Sequence, residues 1–197
     1  MLLSACFAKL VYPHVRNHQF PTFIVLTDTS KHAQQIGDAL LHHLTCNDTW
    51  PDLIQYDDMH TPDILTTLWP TGKYNKQLLN VPKLLTFHHY SASNQDTVGT
   101  LFQLSTRYMI SSIIYARPDA VFPVKMRIDT DYLLLYGDIP MAQRRHIFDH
   151  FELQMFMTLE EFMQHLDDCC VQGTFLWFCC GKSPPHGFLL CCRVYYG

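Results

Sequence analysis

Short apolar runs alternate along this chain with stretches whose apolar residues recur at helical spacing. Phe20-Pro-Thr-Phe-Ile-Val-Leu-Thr27 is β-branched and apolar behind a proline, which predicts a buried strand. Asp28-Thr-Ser30 offers a helix cap, and Ala33, Ile36, Ala39, Leu40 and Leu44 then follow a helical period. Asp52–Tyr56 predicts a second strand, and Pro62–Trp69 a short helix closed by Pro70-Thr-Gly72. Lys83-Leu-Leu-Thr-Phe-His-His89 is a strand ending in two histidines. A helix from about Asp96 to Met109 carries Val98, Leu101, Phe102 and Ser105 on one face, and Ser111–Arg117 is a strand halted by Pro118.

Tyr132-Leu-Leu-Leu-Tyr136 is a further continuous apolar strand. Pro140–Phe151 reads as a helix with Arg144-Arg145 on its solvated face. Thr158-Leu-Glu-Glu161 is a capping box, because a Thr side chain and a Glu three residues on can each bond the other's backbone N–H. The helix it opens should run to about Cys170. Phe175–Cys180 and Phe188–Tyr196 predict a C-terminal β-hairpin around residues 181–187. Strands apolar on both faces and alternating with helices imply an α/β fold, with a mostly parallel central sheet and helices on both faces. No repeat or linker divides the 197 residues, so a single domain spans 1–197.

Composition narrows the function classes. Lys+Arg number 14 and Asp+Glu 18, a net charge of −4, which argues against a protein that coats nucleic acid by charge alone. No apolar run nears the ~18 residues that span a bilayer, so no membrane partner is expected. Met1–Lys9 has no basic residue ahead of its apolar run, so a secretory leader is not expected either. The expected location is intracellular, in a host cell or a virion if the chain is viral, with thiols kept reduced.

There are 8 Cys and 12 His. Besides Cys6 and Cys46, the cysteines form the adjacent pairs Cys169-Cys170, Cys179-Cys180 and Cys191-Cys192. These are read as strand residues with one of each pair facing the core. No C-x-x-C spacing occurs, so a zinc site would have to draw its ligands from separate strands. His88-His89 with His42-His43 or His60 is the alternative route to a softer metal, although strand neighbours point to opposite faces and one of the two at most can join a site. The segment 82–118 holds one acidic residue, Asp96.

The ordered elements Phe23–Thr27, Leu84–His89, Thr97–Arg107, Ser112–Arg117, Pro123-Val-Lys-Met-Arg127 and Tyr132–Tyr136 together resemble a known family. It is the poxvirus-type viral DNA-packaging ATPases, a branch of the FtsK/HerA-like P-loop NTPases. The tail Phe156–Asp168 and the strands after it extend the resemblance over roughly residues 18 to 197. It implies a P-loop after the first strand, an acidic pair after a later one, a polar sensor and retained basic residues. It also implies ATP and Mg²⁺ as cofactors, and oligomeric partners acting on DNA.

This chain departs from that pattern where the chemistry sits. A P-loop of the form G-x-x-x-x-G-K-[ST] wraps phosphates with glycine amides, while Lys and a hydroxyl meet the terminal phosphate and the metal. Here only Asp28, Thr29 and Ser30 separate Thr27 from Lys31, without a glycine, and His32 stands where the metal-binding hydroxyl belongs. Asp28 would repel a triphosphate. His88-His89 occupy the place of the acidic pair, although Mg²⁺ prefers oxygen ligands. Arg117 replaces the sensor, while Arg107 and Arg127 match the family's basic positions.

Lys31 is thus either a surviving phosphate ligand or a solvated first-turn lysine. Arg107, Arg117 and Arg127 are either phosphate and subunit contacts or ordinary structural arginines. The expected function is that of a degenerate packaging ATPase without catalytic residues or cofactor, acting as a structural or regulatory partner beside packaging subunits. The alternatives are an active ATPase with a site completed by a neighbouring subunit, and a Cys/His metal-binding interaction module.

Overall fold

A computed structural model describes residues 22–28, 54–57, 83–87, 90, 95–104, 109–136, 139–172, 175–180 and 189–190. Its strands are β1 (Thr22–Leu26), β2 (Ile54–Asp57), β3 (Lys83–Phe87), β4 (Ile110–Ala116), β5 (Tyr132–Tyr136), β6 (Phe175–Cys179) and β7 (Leu189–Leu190). Its helices are α1 (Gln95–Leu104), α2 (Val124–Ile128), α3 (Met141–His150) and α4 (Leu159–Gln172), with a 3-10 turn at Leu153–Met155.

The strands join in one sheet of order β2-β3-β4-β1-β5-β6-β7. The five strands from β2 to β5 are parallel, and β6 and β7 add on antiparallel. The central parallel strands β1, β4 and β5 are mostly apolar because both of their faces are covered. All five residues of β1 and all seven of β4 are buried. Register fixes which side chains share a face: Ile24 lies opposite Ile114 and Leu133, and Leu133 opposite Phe178. These residues form one core with Val98, Phe102, Met126, Ile147, Phe148, Phe162 and Leu166, so every described helix packs against the same face. The other face is buried too. There Phe23 stacks on Tyr132 at 5.0 Å between ring centroids, and Trp177 meets both edge-on.

The six strands expected before the last appear within a few residues of their expected limits; of the last, expected over Phe188–Tyr196, the described residues show Leu189–Leu190. The hairpin of β6 and β7 also forms, with Trp177 opposite Leu190. The capping box at the start of α4 is made in full. Thr158 N–H donates to Glu161 Oε2 at 2.8 Å, and Glu161 N–H donates to Thr158 Oγ1 at 3.2 Å. The helices expected over 31–44 and 62–69 lie outside the described residues.

Two expectations are corrected. Arg144 is not on a solvated face: it is 5% exposed and donates to the Ile139 and Met163 carbonyls and to Asp167 on α4. The reason is periodicity, since position 144 lies three and four residues before the buried Ile147 and Phe148. Arg145, one residue on, is exposed and pairs with Asp149 at 2.9 Å. The second correction concerns the reading of all three cysteine pairs as strand residues: Cys169-Cys170 lies on α4, in the helix expected to reach about Cys170, and helical geometry buries Cys169 and exposes Cys170.

At the opposite end of the sheet from the strand C-termini, β1 and β5 are tied at their entrances. Asp131 Oδ2 accepts from Thr22 N–H at 2.9 Å and lies 3.0 Å from Thr22 Oγ1. Asp131 N–H donates to the Thr22 carbonyl at 3.1 Å. Two strands 109 residues apart in sequence are thereby locked in register before their apolar stretches begin.

Candidate functional site

In an open parallel sheet the crevice at the strand C-termini, where the strand order reverses, is the natural place for a ligand. Here the order reverses around β1. The strands β4, β3 and β2 lie on one side of it, and β5, β6 and β7 on the other. The edge is therefore formed by Thr27-Asp28 after β1, Arg117 after β4 and Tyr90 shortly after β3.

Thr27 N–H donates to the Ala116 carbonyl at 3.2 Å, which carries the β1–β4 ladder to the end of both strands. Thr27 is buried, whereas Asp28 is exposed and presents a carboxylate at the tip of the central strand. Arg117 leaves β4 exposed, its side chain 72% accessible, with Nη2 3.2 Å from Asp119 Oδ2. A pair so open to water contributes little, so the guanidinium is held only lightly. Ala120 N–H donates to the Arg117 carbonyl at 3.0 Å and closes a turn around Pro118.

Behind this turn lies an aromatic corner. The Tyr90 ring stacks on Phe122 at 4.4 Å and 13°, and its backbone N–H reaches the Tyr115 carbonyl at 3.5 Å. The Tyr90 hydroxyl lies 3.4 Å from the Val121 carbonyl, and burial followed by the nearby Asp96 carboxylate pushes its pKa up to about 12. The backbone N–H of Phe122 donates to Nε2 of His150 at 3.0 Å. His150 is stacked on His146 at 5.2 Å, as the i, i+4 spacing on α3 allows. Burial, then the charges of Arg127 and His146, hold the His150 pKa down at about 4, so the ring is neutral near pH 7 and able to accept.

The structure separates the two described arginines of the sequence-derived set. Arg117 lies on the C-terminal edge. Arg127 lies on α2, which leads back toward the entrance of β5, and its Nη1 donates to the His150 carbonyl at the end of α3. It also lies 3.6 Å from Glu152. A cation on the last carbonyls of a helix satisfies groups that have no partner within the helix. Arg127 is thus a helix-end clamp in this structure. Lys31, His32, His88, His89 and Arg107 lie outside the described residues.

Sequence reasoning assigned no role to Tyr90 or His150 and placed Arg144 on the solvated face. Only Arg144 and His150 had a usable signal: for Arg144 its phase with Ile147 and Phe148, and for His150 its spacing from His146. Among the described residues no three His, Cys, Asp or Glu side chains are placed to hold a metal ion. Cys169, Cys170 and Cys180 are thiols rather than halves of a disulfide. No described helix is long and apolar enough to cross a membrane.

No protein-family model matches the sequence, and no curated protein sequence matches it. Among solved structures, the chain is similar to the genome packaging NTPase B204 of Sulfolobus turreted icosahedral virus 2, a structure that contains sulfate. The two share 9% sequence identity at a TM-score of 0.47, over 83% of this chain and 92% of that one.

Proposed function

We propose that this chain is a degenerate relative of viral DNA-packaging ATPases. It keeps the sheet of a P-loop NTPase without the phosphate chemistry, and it serves as a structural or regulatory partner in genome packaging. The observation that carries this is the end of β1. That strand lies inside a parallel sheet at the point where the strand order reverses, yet it ends in Thr27 and an exposed Asp28 with no glycine before Lys31. A phosphate cradle there needs successive backbone amides and a positive field. A carboxylate at that point has the wrong sign.

The neighbouring strand end supports the same view. The turn after β4 opens on the exposed Arg117, and the acid of that turn, Asp119, lies two residues on as the partner of that cation. On this view Lys31 is a solvated lysine, His32, His88 and His89 are remnants of the lost site, and Arg117 is a surface cation at its rim. Neither ATP nor Mg²⁺ is required. The partners would be further subunits of the same or another packaging protein, and DNA where such an assembly holds it.

Steady-state hydrolysis assays of the purified chain, at rising protein concentration and with Lys31→Ala beside the parent, test this reading. The expected result is background turnover at every concentration and no difference between the two proteins. Turnover that rises with oligomerisation and is lost in Lys31→Ala would overturn it in favour of a working site shared between subunits.

A further inference from the structure

The segment between β4 and α2 carries Arg117 and Asp119 at one end and feeds a five-residue helix at the other. It reaches α3 through a hydrogen bond from Phe122 N–H to His150 Nε2, and through the packing of Phe122 beside His150 and Phe151. We propose that His150 is an acid-sensitive latch: its neutral ring holds the segment after β4 against α3, and protonation releases that segment.

The chemistry follows from the acceptor. The Phe122 N–H needs the lone pair on Nε2, and a proton added there turns the acceptor into a donor facing a donor. The bond is then lost and repulsion takes its place. The charged and titratable groups around the ring favour the neutral form. Arg127 approaches from α2 with its guanidinium on the His150 carbonyl, and His146 stacks on the ring from one turn earlier in α3. Glu152, after α3, lies against Arg127 and offsets part of its charge, and Asp149 is already taken by Arg145. From the segment itself comes Phe122, which brings an N–H and an aromatic ring but no charge. Tyr90 is the titratable group behind Phe122, and it stays neutral throughout the acid range. Phe122 also carries the stack with Tyr90, so its release would loosen the contact between the ends of β3 and β4.

Backbone-amide and imidazole resonances of the full chain, followed from neutral pH down through about 4, test the latch. The Phe122 amide and the His150 ring are expected to shift together with one shared inflection, while amides of β1 stay still. His150→Gln offers an acceptor that does not titrate, so in that variant the Phe122 inflection should vanish. His146→Gln removes a repelling neighbour and should move the shared inflection to higher pH; it covers the case in which the His150→Gln variant fails to fold. A Phe122 amide that stays still while the His150 ring titrates would overturn the proposal. So would an inflection shared by the amides of β1, which reports global unfolding, or one that survives in His150→Gln.

Discussion

Two adjacent arginines on α3 show how far one position on a helix changes the meaning of a residue. Arg144 spends its donors on two carbonyls and Asp167, while Arg145 makes a solvent-exposed pair with Asp149. Exposed i, i+4 pairs contribute about 0.3–0.5 kcal/mol, so Arg145→Met should change stability by less than about 0.5 kcal/mol. Arg144→Met strips donors from buried carbonyls and should cost about 2–3 kcal/mol. Denaturant unfolding of the two variants side by side reads the difference, and equal costs would contradict the burial described. Thr158 gives a second contrast at this scale. Thr158→Ala removes the cap of α4 and should lower stability by about 1 kcal/mol in the same measurement. Bonds from Thr158 hold the Glu161 carboxyl below its ordinary range. Their stabilisation is therefore present above the usual carboxylate pKa and is lost as pH falls through the depressed one. The parent should lose this increment on acidification; Thr158→Ala, which keeps the backbone N–H that is the larger cause, should lose only the hydroxyl's part of it, and Glu161→Gln should lack it altogether.

At the scale of elements, short apolar runs made β1 to β6 legible, and the 3.6-residue period made α1, α3 and α4 legible, because each of these helices packs an apolar stripe on the core. α2 was not legible as a helix. Five residues give little more than one turn, and the two outer members of Val124-Lys-Met-Arg-Ile128 are about 60% exposed, so the segment has no apolar period to read. It forms because Pro123 starts the turn and Met126 anchors it to the core. Leu133, fully buried between β1 and β6, tests the shared core most simply. Leu133→Ala should cost about 2–5 kcal/mol by thermal or denaturant unfolding. His150 gives the element scale its pH dependence. Its pKa is about 4 in the folded chain against 6.5 ordinarily, so between those values the unfolded chain takes up the proton first. The stability tied to His150 is present above pH 6.5 and falls as pH drops toward 4. Scanning calorimetry across that range should show Tm falling more steeply for the parent than for His150→Gln.

At the scale of the molecule, the mostly parallel sheet followed from strands that are apolar on both faces, and the antiparallel hairpin from the two apolar runs near the C-terminus. The order of the strands was not available from any local period, because pairing across 109 residues depends on contacts such as Asp131 with Thr22. The candidate edge was legible in part. The absence of glycine before Lys31 and the single acid in 82–118 are sequence facts, and the sheet adds that β1 ends where its order reverses. The His150–Phe122 contact is tertiary, and no spacing along the chain announces it; the Arg117–Asp119 pair is local, and what the fold adds is its exposed place at the end of β4. Isothermal titration of the full chain with ATP and Mg²⁺ is the sharpest check on the proposal that this sheet has no phosphate cradle. No heat of binding is expected at micromolar protein and nucleotide; saturable micromolar binding that disappears in Lys31→Ala would overturn the proposal.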